Sequence, residues 1–211
     1  MDKSIYLHGI YASSEIYDNA TTIRILKKIL ISNALLSARL QNRKFYKPMF
    51  NGYDYISLCD YEKREYSLLD RYNSYEAYIK YSLSLIFPKD KIDAIVPTLI
   101  DISKGENYYR EMEKYGLSET TRYTDMADEV QVKDQISLDL MTGITLPISK
   151  MINEYRSDSK NIDIILREIE KINKLLDKYN HLVPIYDIDS SQSLNIETNV
   201  KILVRKYKNR G

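Results

Sequence analysis

The sequence contains very little cysteine, histidine or tryptophan. Among 211 residues there is one cysteine, Cys59, there are two histidines, His8 and His181, and there is no tryptophan. A single cysteine excludes an internal disulfide and any metal site built from cysteines. Two histidines disfavour a histidine-rich metal site. We therefore expect no metal cofactor, and a protein of the cytosol or one exported without disulfides.

The chain also lacks an excess of one charge and any long apolar run. Lysine and arginine total 31, aspartate and glutamate total 30, and the net charge is +1. This balance gives no overall attraction to nucleic acid or to an anionic membrane, although it leaves a local basic patch open. No apolar run approaches membrane-spanning length, and residues 1–14 lack the pattern of a signal peptide. We expect a cytoplasmic protein, or one delivered into a target cell, with no membrane partner.

Common enzyme motifs are missing too. The sequence has no Walker A motif, no dinucleotide-binding glycine fingerprint, no HExxH, no GxSxG and no protein-kinase signature. Most common enzyme classes are therefore disfavoured. The length suits one domain, or one domain with a small appendage.

One stretch, residues 127–147, has the clearest pattern of chemical interest. Val130 and Val132 alternate with Glu129, Gln131 and Lys133, which predicts a half-buried strand ending in a turn at Lys133-Asp134. A short segment and a second strand, stopped by a proline, follow. A carboxylate at the head of a strand lies on rigid backbone, where a catalytic acid belongs. For an arbitrary glutamate, a solvated strand position is the commoner interpretation.

A second candidate lies near the start of the chain. Residues 4–8 predict a short strand, and Gly9 follows His8 directly. A histidine at a strand end before a glycine offers one ligand both an imidazole and a backbone amide. A histidine satisfied by local hydrogen bonds is the alternative.

The rest of the pattern alternates helices and strands. Apolar residues at helical spacing predict one helix that begins at Asn19 or Thr21 and another over residues 161–179. A shorter helix is predicted to carry Tyr75 and Tyr78. Further strands are predicted at residues 55–59, 82–87, 183–188 and 195–204.

In this order the elements resemble the ADP-ribosyltransferase superfamily, in particular its diphtheria-toxin-like and DarT-like groups. His8-Gly9 resembles the first-strand motif of these enzymes, and TIRILKKILISNALLS resembles the element after it. Tyr55-Ile56-Ser57 is similar to the second-strand segment. Tyr78 resembles the tyrosine that closes over nicotinamide, and EVQV at 129–132 is similar to the stretch at the catalytic glutamate.

The resemblance implies a fold and an activity. The resemblance covers about residues 5–147 and implies an α+β fold with a split β-sheet core over residues 1–147. Residues 148–211, which it does not cover, are predicted from their own pattern as a C-terminal extension of helix and strands on the same domain. The implied activity is transfer of ADP-ribose from NAD, as substrate, to a protein or nucleic-acid acceptor, by a toxin or effector with a possible antitoxin or immunity partner. No metal is required.

The resemblance also implies a role for each site residue. Glu129 would stabilise the oxocarbenium-like state, His8 would hydrogen-bond the adenosine ribose, and the Gly9 backbone would read the nicotinamide amide. Tyr55 or Tyr78 would stack on nicotinamide, with Ser57 beside it. Arg39 would pair with the pyrophosphate.

Three points stay open at this stage. Ala127 stands where arginine-modifying members carry a Glu or Gln, which disfavours arginine as acceptor. NAD hydrolysis shares the first half of the reaction, so an NAD glycohydrolase is an alternative. A different class is a non-catalytic module that binds a partner or nucleic acid through the 162–176 helix and a basic, aromatic loop containing Arg43, Lys44 and Phe45.

Overall fold

A computed structural model describes residues 4–10, 19–41, 55–62, 83–95, 129–148, 159–188 and 193–194. The predicted α+β class is confirmed. The helices of the described part are α1 (Asn19–Ser32) and α2 (Ser159–Lys178), with short 3-10 helices at Lys89–Lys91 and Leu138–Leu140. The strands are β1 (Ile5–Gly9), β2 (Ala34–Leu36), β3 (Tyr55–Asp60), β4 (Ser84–Pro88), β5 (Glu129–Lys133), β6 (Gln135–Ser137), β7 (Gly143–Leu146), β8 (Ile185–Asp187) and β9 (Ser193–Leu194).

Seven of these strands form one mixed sheet, in the order β5-β3-β1-β4-β7-β8-β9. Each neighbouring pair is antiparallel except β7 and β8, which run parallel. The strand order does not follow the chain, so β1 lies between β3 and β4. The remaining two strands, β2 and β6, pair antiparallel in a small separate sheet.

One face of the large sheet is covered by both helices. Successive strand residues point to opposite faces, so Leu58, Leu85 and Val130 share this face and are buried with Phe87 and Ile144. The apolar stripes of the two helices complete this core, contributing Leu26, Leu30, Ile165, Ile169, Ile172 and Leu176. The predicted amphipathic helices therefore pack as core elements. Within the described residues, neither helix is both long and apolar enough to cross a bilayer.

The opposite face carries a smaller apolar cluster near the start of β1. Leu7, Cys59 and Ile86 are buried there. Tyr186 of β8 packs over them, beside Gly143, where an added Cβ would lie 2.9 Å from Tyr186 Cε2. The chain after residue 147 therefore takes part in both cores, because α2 lies on one face and β8 extends the sheet and covers the other.

Three turns depend on residues with positive φ. Asn33, Asp134 and Asn180 have φ values of 50°, 63° and 59°, a region that asparagine and aspartate tolerate better than other side chains. Asn33 leads from α1 into β2, Asp134 separates β5 from β6, and Asn180 follows α2. The predicted turn at Lys133-Asp134 is confirmed, whereas sequence periodicity did not predict strand β2.

Candidate functional site

The site is built around a gap in the pairing between β1 and β3. These strands form only two residue pairs, Tyr6 with Asp60 and Leu7 with Cys59. On its other side β1 pairs with β4 over all five of its residues, up to Gly9 with Ser84. Continuing the β1–β3 register would place Gly9 opposite Ser57. We call this interruption, between Gly9 and Ser57, the β1–β3 gap.

The His8 side chain bridges the β1–β3 gap. His8 Nδ1 lies 2.9 Å from the backbone carbonyl oxygen of Ser57. A carbonyl oxygen only accepts hydrogen bonds, so Nδ1 carries the proton and donates it. Burial lowers the pKa of His8 below 6.5, and the bond to Ser57 offsets this only in part. The imidazole is therefore neutral at pH 7, and a ring that donates through Nδ1 accepts through Nε2.

The backbone of Gly9 is directed towards the same gap. Ile5 accepts from Tyr61 N on the β3 side, whereas Ile10 donates to Leu83 O on the β4 side. Backbone groups of successive strand residues alternate in direction. The N–H and C=O of Gly9 are therefore directed towards β3, where the resemblance predicts recognition of an amide.

On β3 the predicted residues Tyr55 and Ser57 share one face. Tyr55 pairs with Lys133 of β5 and Ser57 pairs with Gln131. Both side chains are partly buried. They lie on the face opposite to the helices, because the intervening Ile56 belongs to the helix-covered core.

Glu129 begins β5, the strand next to β3, and its backbone pairs with that of Cys59. Cys59 in turn pairs with Leu7. Paired residues belong to the same face of a sheet, and successive residues of a strand alternate between faces. Position 129 therefore has the same strand parity, that is, the same face, as Leu7 and Gly9. His8 has the opposite parity. The strands that carry His8, Tyr55 with Ser57, and Glu129 are thus three neighbours in the sheet, and the His8 side chain contacts the middle strand at the Ser57 carbonyl oxygen.

Arg39, one of the predicted site residues, is held by a partner outside this group. Arg39, which follows β2, forms an ion pair with Asp134 at the β5–β6 turn. The two side chains are 44% and 37% exposed, so the guanidinium lies at the surface and is held by a carboxylate that sequence analysis did not pair with it. Tyr78 lies outside the described residues, as does the loop with Arg43, Lys44 and Phe45.

A second charged cluster lies at the far end of β1 from the β1–β3 gap. Lys89 Nζ is 2.5 Å from Asp60 Oδ1 and 3.0 Å from Glu62 Oε2, and 5.6 Å from the centre of the Tyr6 ring. Burial on its own lowers the pKa of Lys89, but the hydrogen bonds to Asp60 and Glu62 outweigh it and raise that pKa above 10.5. This cluster ties β3 to the end of β4 across β1.

Within the described ranges, no group of three or more acidic, histidine or cysteine side chains is placed to hold a metal ion. Comparisons with protein-family models, with curated proteins and with solved structures found no match for this chain.

These residues combine a carboxylate-bearing strand, a backbone amide and a neutral imidazole around one interruption in a sheet. Such a set suits an uncharged amide or hydroxyl ligand next to a centre that develops positive charge, because dipoles hold the ligand and the carboxylate stabilises the charge. Gln131, which is 2% exposed, is a polar residue of this region to which sequence analysis gave no role. Its alternation with Val130 and Val132 marked it only as belonging to the strand's polar face.

Proposed function

We propose that this protein is a mono-ADP-ribosyltransferase with an ADP-ribosyltransferase-like sheet, acting as a toxin or effector on a macromolecular acceptor. The observation that carries the proposal is the strand order β5-β3-β1. It makes neighbours of the strands bearing Glu129, Tyr55 with Ser57, and His8 with Gly9. The resemblance in sequence requires these residues on successive core strands, although they are separated by more than 40 residues along the chain.

The reaction breaks the bond between nicotinamide and C1′ of its ribose. Nicotinamide leaves with the electron pair, C1′ passes through an oxocarbenium-like state, and the acceptor nucleophile forms the new bond to C1′ and loses its proton. A fixed carboxylate stabilises such a state, as in glycoside cleavage. We assign this role to Glu129.

The other residues hold the dinucleotide. The Gly9 backbone reads the nicotinamide amide, and Tyr55 or Tyr78 stacks on the nicotinamide ring, with Ser57 beside it. His8 positions Ser57 through Nδ1 and accepts from a ribose hydroxyl through Nε2. Arg39 reaches the pyrophosphate by exchanging its carboxylate partner, Asp134, for phosphate oxygens, which suit its planar donor fork.

The test is incubation of the purified protein with labelled NAD and a cell lysate, beside Glu129→Gln. Nicotinamide release and label on macromolecules are followed separately. Glu170→Gln is the matched control, because Glu170 is an exposed glutamate on α2 whose partner is Lys174. We expect label with wild type and with the control, and a loss of at least ~100-fold with Glu129→Gln.

Each other result has a defined meaning. Nuclease or protease digestion of the labelled material names the acceptor class. Nicotinamide release without transferred label supports an NAD glycohydrolase. Absence of both NAD binding and NAD turnover refutes the proposal and leaves the alternative of a non-catalytic binding module. In a separate experiment, a second protein that co-purifies with this one would reveal an antitoxin or immunity partner.

A further inference from the structure

A row of polar or side-chain-free residues crosses the sheet on the face opposite to the helices. The strand registers pair Gln131 with Ser57, Gly9 with Ser84, and Ser84 with Thr145, and the continued β1–β3 register joins Ser57 to Gly9. We call these five positions the polar row. The neighbouring row on the same face is apolar from β3 to β4, where it consists of Cys59, Leu7 and Ile86.

Four residues of the polar row, Gly9, Ser84, Gln131 and Thr145, are buried, and Ser57 is partly buried. Gln131 is 2% exposed, and Ser84 and Thr145 are 0% exposed. Buried polar side chains are normally hydrogen-bonded, and an exception calls for a reason. Within the described part of the chain, Thr145 Oγ1 has no hydrogen-bond partner, and no described residue hydrogen-bonds the side-chain amide of Gln131. Retaining these groups costs stability, which points to a function for at least one of them.

Gln131 is the member of the row that belongs to the candidate site. It lies directly opposite Ser57 and two residues after Glu129, with the same strand parity, so the two α-carbons are ~7 Å apart along β5. Thr145 lies two strands beyond Gly9 in the other direction, ~10 Å away. A ligand held at the β1–β3 gap and at Glu129 therefore passes Gln131 and stays clear of Thr145.

We propose that Gln131 is a specificity-determining residue of this site, whose amide hydrogen-bonds an uncharged polar group of the dinucleotide, either its carboxamide or a ribose hydroxyl. The proposal rests on the proposed function. A primary amide offers two donors and one acceptor without charge. It therefore matches an amide or a hydroxyl, and it adds no second carboxylate beside Glu129, which would disfavour ionisation of both.

The experiment compares Gln131→Met, which keeps the length of the side chain but removes the amide, with Gln135→Met. Gln135 is an exposed glutamine on β6. NAD affinity is measured by calorimetry, and the melting temperature is measured without ligand. We expect Gln131→Met to weaken NAD binding ~10-fold with an unchanged or higher melting temperature, because an apolar side chain replaces an amide that no described residue hydrogen-bonds. Gln135→Met should match wild type in both.

Two further ligands identify the group that is bound. Weaker binding of NAD and nicotinamide with unchanged binding of ADP-ribose assigns the carboxamide, whereas weaker binding of ADP-ribose assigns a ribose hydroxyl. If Gln131→Met does not fold, Gln131→Asn serves instead, because it keeps a neutral amide but shortens its reach by one methylene, and the same loss of affinity is expected.

Three results overturn the inference. NAD affinity within twofold of wild type in Gln131→Met removes the role of Gln131 and leaves the transferase proposal intact. A lower melting temperature with unchanged affinity shows that the amide is structural. Absence of NAD binding by the wild-type protein refutes the proposed function itself, and this inference with it.

Discussion

His8 Nδ1 donates to the Ser57 carbonyl oxygen over 2.9 Å, across the point where the β1–β3 pairing stops. In a continued ladder this oxygen would face the backbone of Gly9 instead. A side chain thus joins β3 to β1 at the candidate site, beyond the last of their paired residues. The bond also fixes the imidazole as the tautomer protonated at Nδ1.

His8 should make the stability of the protein depend on pH. Burial lowers its pKa below 6.5, so the unfolded chain binds a proton more readily than the folded one. The contribution of neutral His8 to the free energy of unfolding is complete above pH 6.5. This contribution is lost progressively as the pH falls from 6.5 towards the lowered pKa of the folded state, by up to ~1.4 kcal/mol per pH unit.

His8→Gln tests this dependence, because glutamine can still donate to Ser57 but does not titrate. We expect a shallower fall in the free energy of unfolding between pH 7 and pH 5 than in wild type, measured by urea denaturation. His181→Gln, which removes the other histidine, controls for the loss of an imidazole. A slope in His8→Gln equal to that of wild type would show that His8 does not cause the dependence.

Gly143 should tolerate no larger residue. A Cβ at this position would lie 2.9 Å from Tyr186 Cε2, 3.0 Å from Ile86 Cδ1 and 3.2 Å from the Pro184 carbonyl oxygen. Gly143→Ala should therefore lower the free energy of unfolding by ~1–3 kcal/mol. Adding Tyr186→Leu, which removes the ring, should make the alanine less costly than it is in wild type. Additive effects in this double-mutant cycle would contradict the proposed clash.

The fold could be predicted from sequence where one periodicity dominates. The strands β1, β3 and β5 and both helices were predicted within a few residues, because apolar side chains recur every two or every three to four positions. Strand β2 was not predicted, since a three-residue strand is too short to show a period. The sequence of residues 89–98 favours neither helix nor strand, and the structure has a 3-10 helix at Lys89–Lys91.

Less of the candidate site than of the fold could be predicted from the sequence. Glu129 and His8 could be proposed from local pattern and resemblance, but their opposite parity depends on long-range strand registers. The burial of Gln131 depends on the same registers, because alternation with valines shows only that a residue is on the other face. The partner of Arg39, Asp134, is 95 residues away in the chain, and no local pattern connects them.

The apolar stripe of α2 should act as core. Ile172 is 0% exposed, so Ile172→Ala should lower the free energy of unfolding by ~2–5 kcal/mol. Leu182→Ala is the control, because Leu182 is 69% exposed and its loss should cost less than ~0.5 kcal/mol. Denaturant midpoints measure both. A small effect of Ile172→Ala would reopen the possibility that this stripe binds a partner.

The final prediction concerns the two neighbouring lysines of the turn after β4. Lys89 pairs with Asp60, whose side chain is 7% exposed, whereas Lys91 pairs with Asp90 at 3.2 Å with side chains 61% and 70% exposed. Lys89→Met leaves the Asp60 carboxylate buried without its cation, so we expect a loss of ~2–4 kcal/mol of unfolding free energy. Lys91→Met should cost less than ~0.5 kcal/mol, because exposed ion pairs are weak.

Urea denaturation at pH 7 compares the two variants. Asp60→Asn in the Lys89→Met background should recover part of the lost unfolding free energy, because it removes the unpaired charge. Equal effects of the two lysine substitutions would show that Asp60 is not the group that makes Lys89 important.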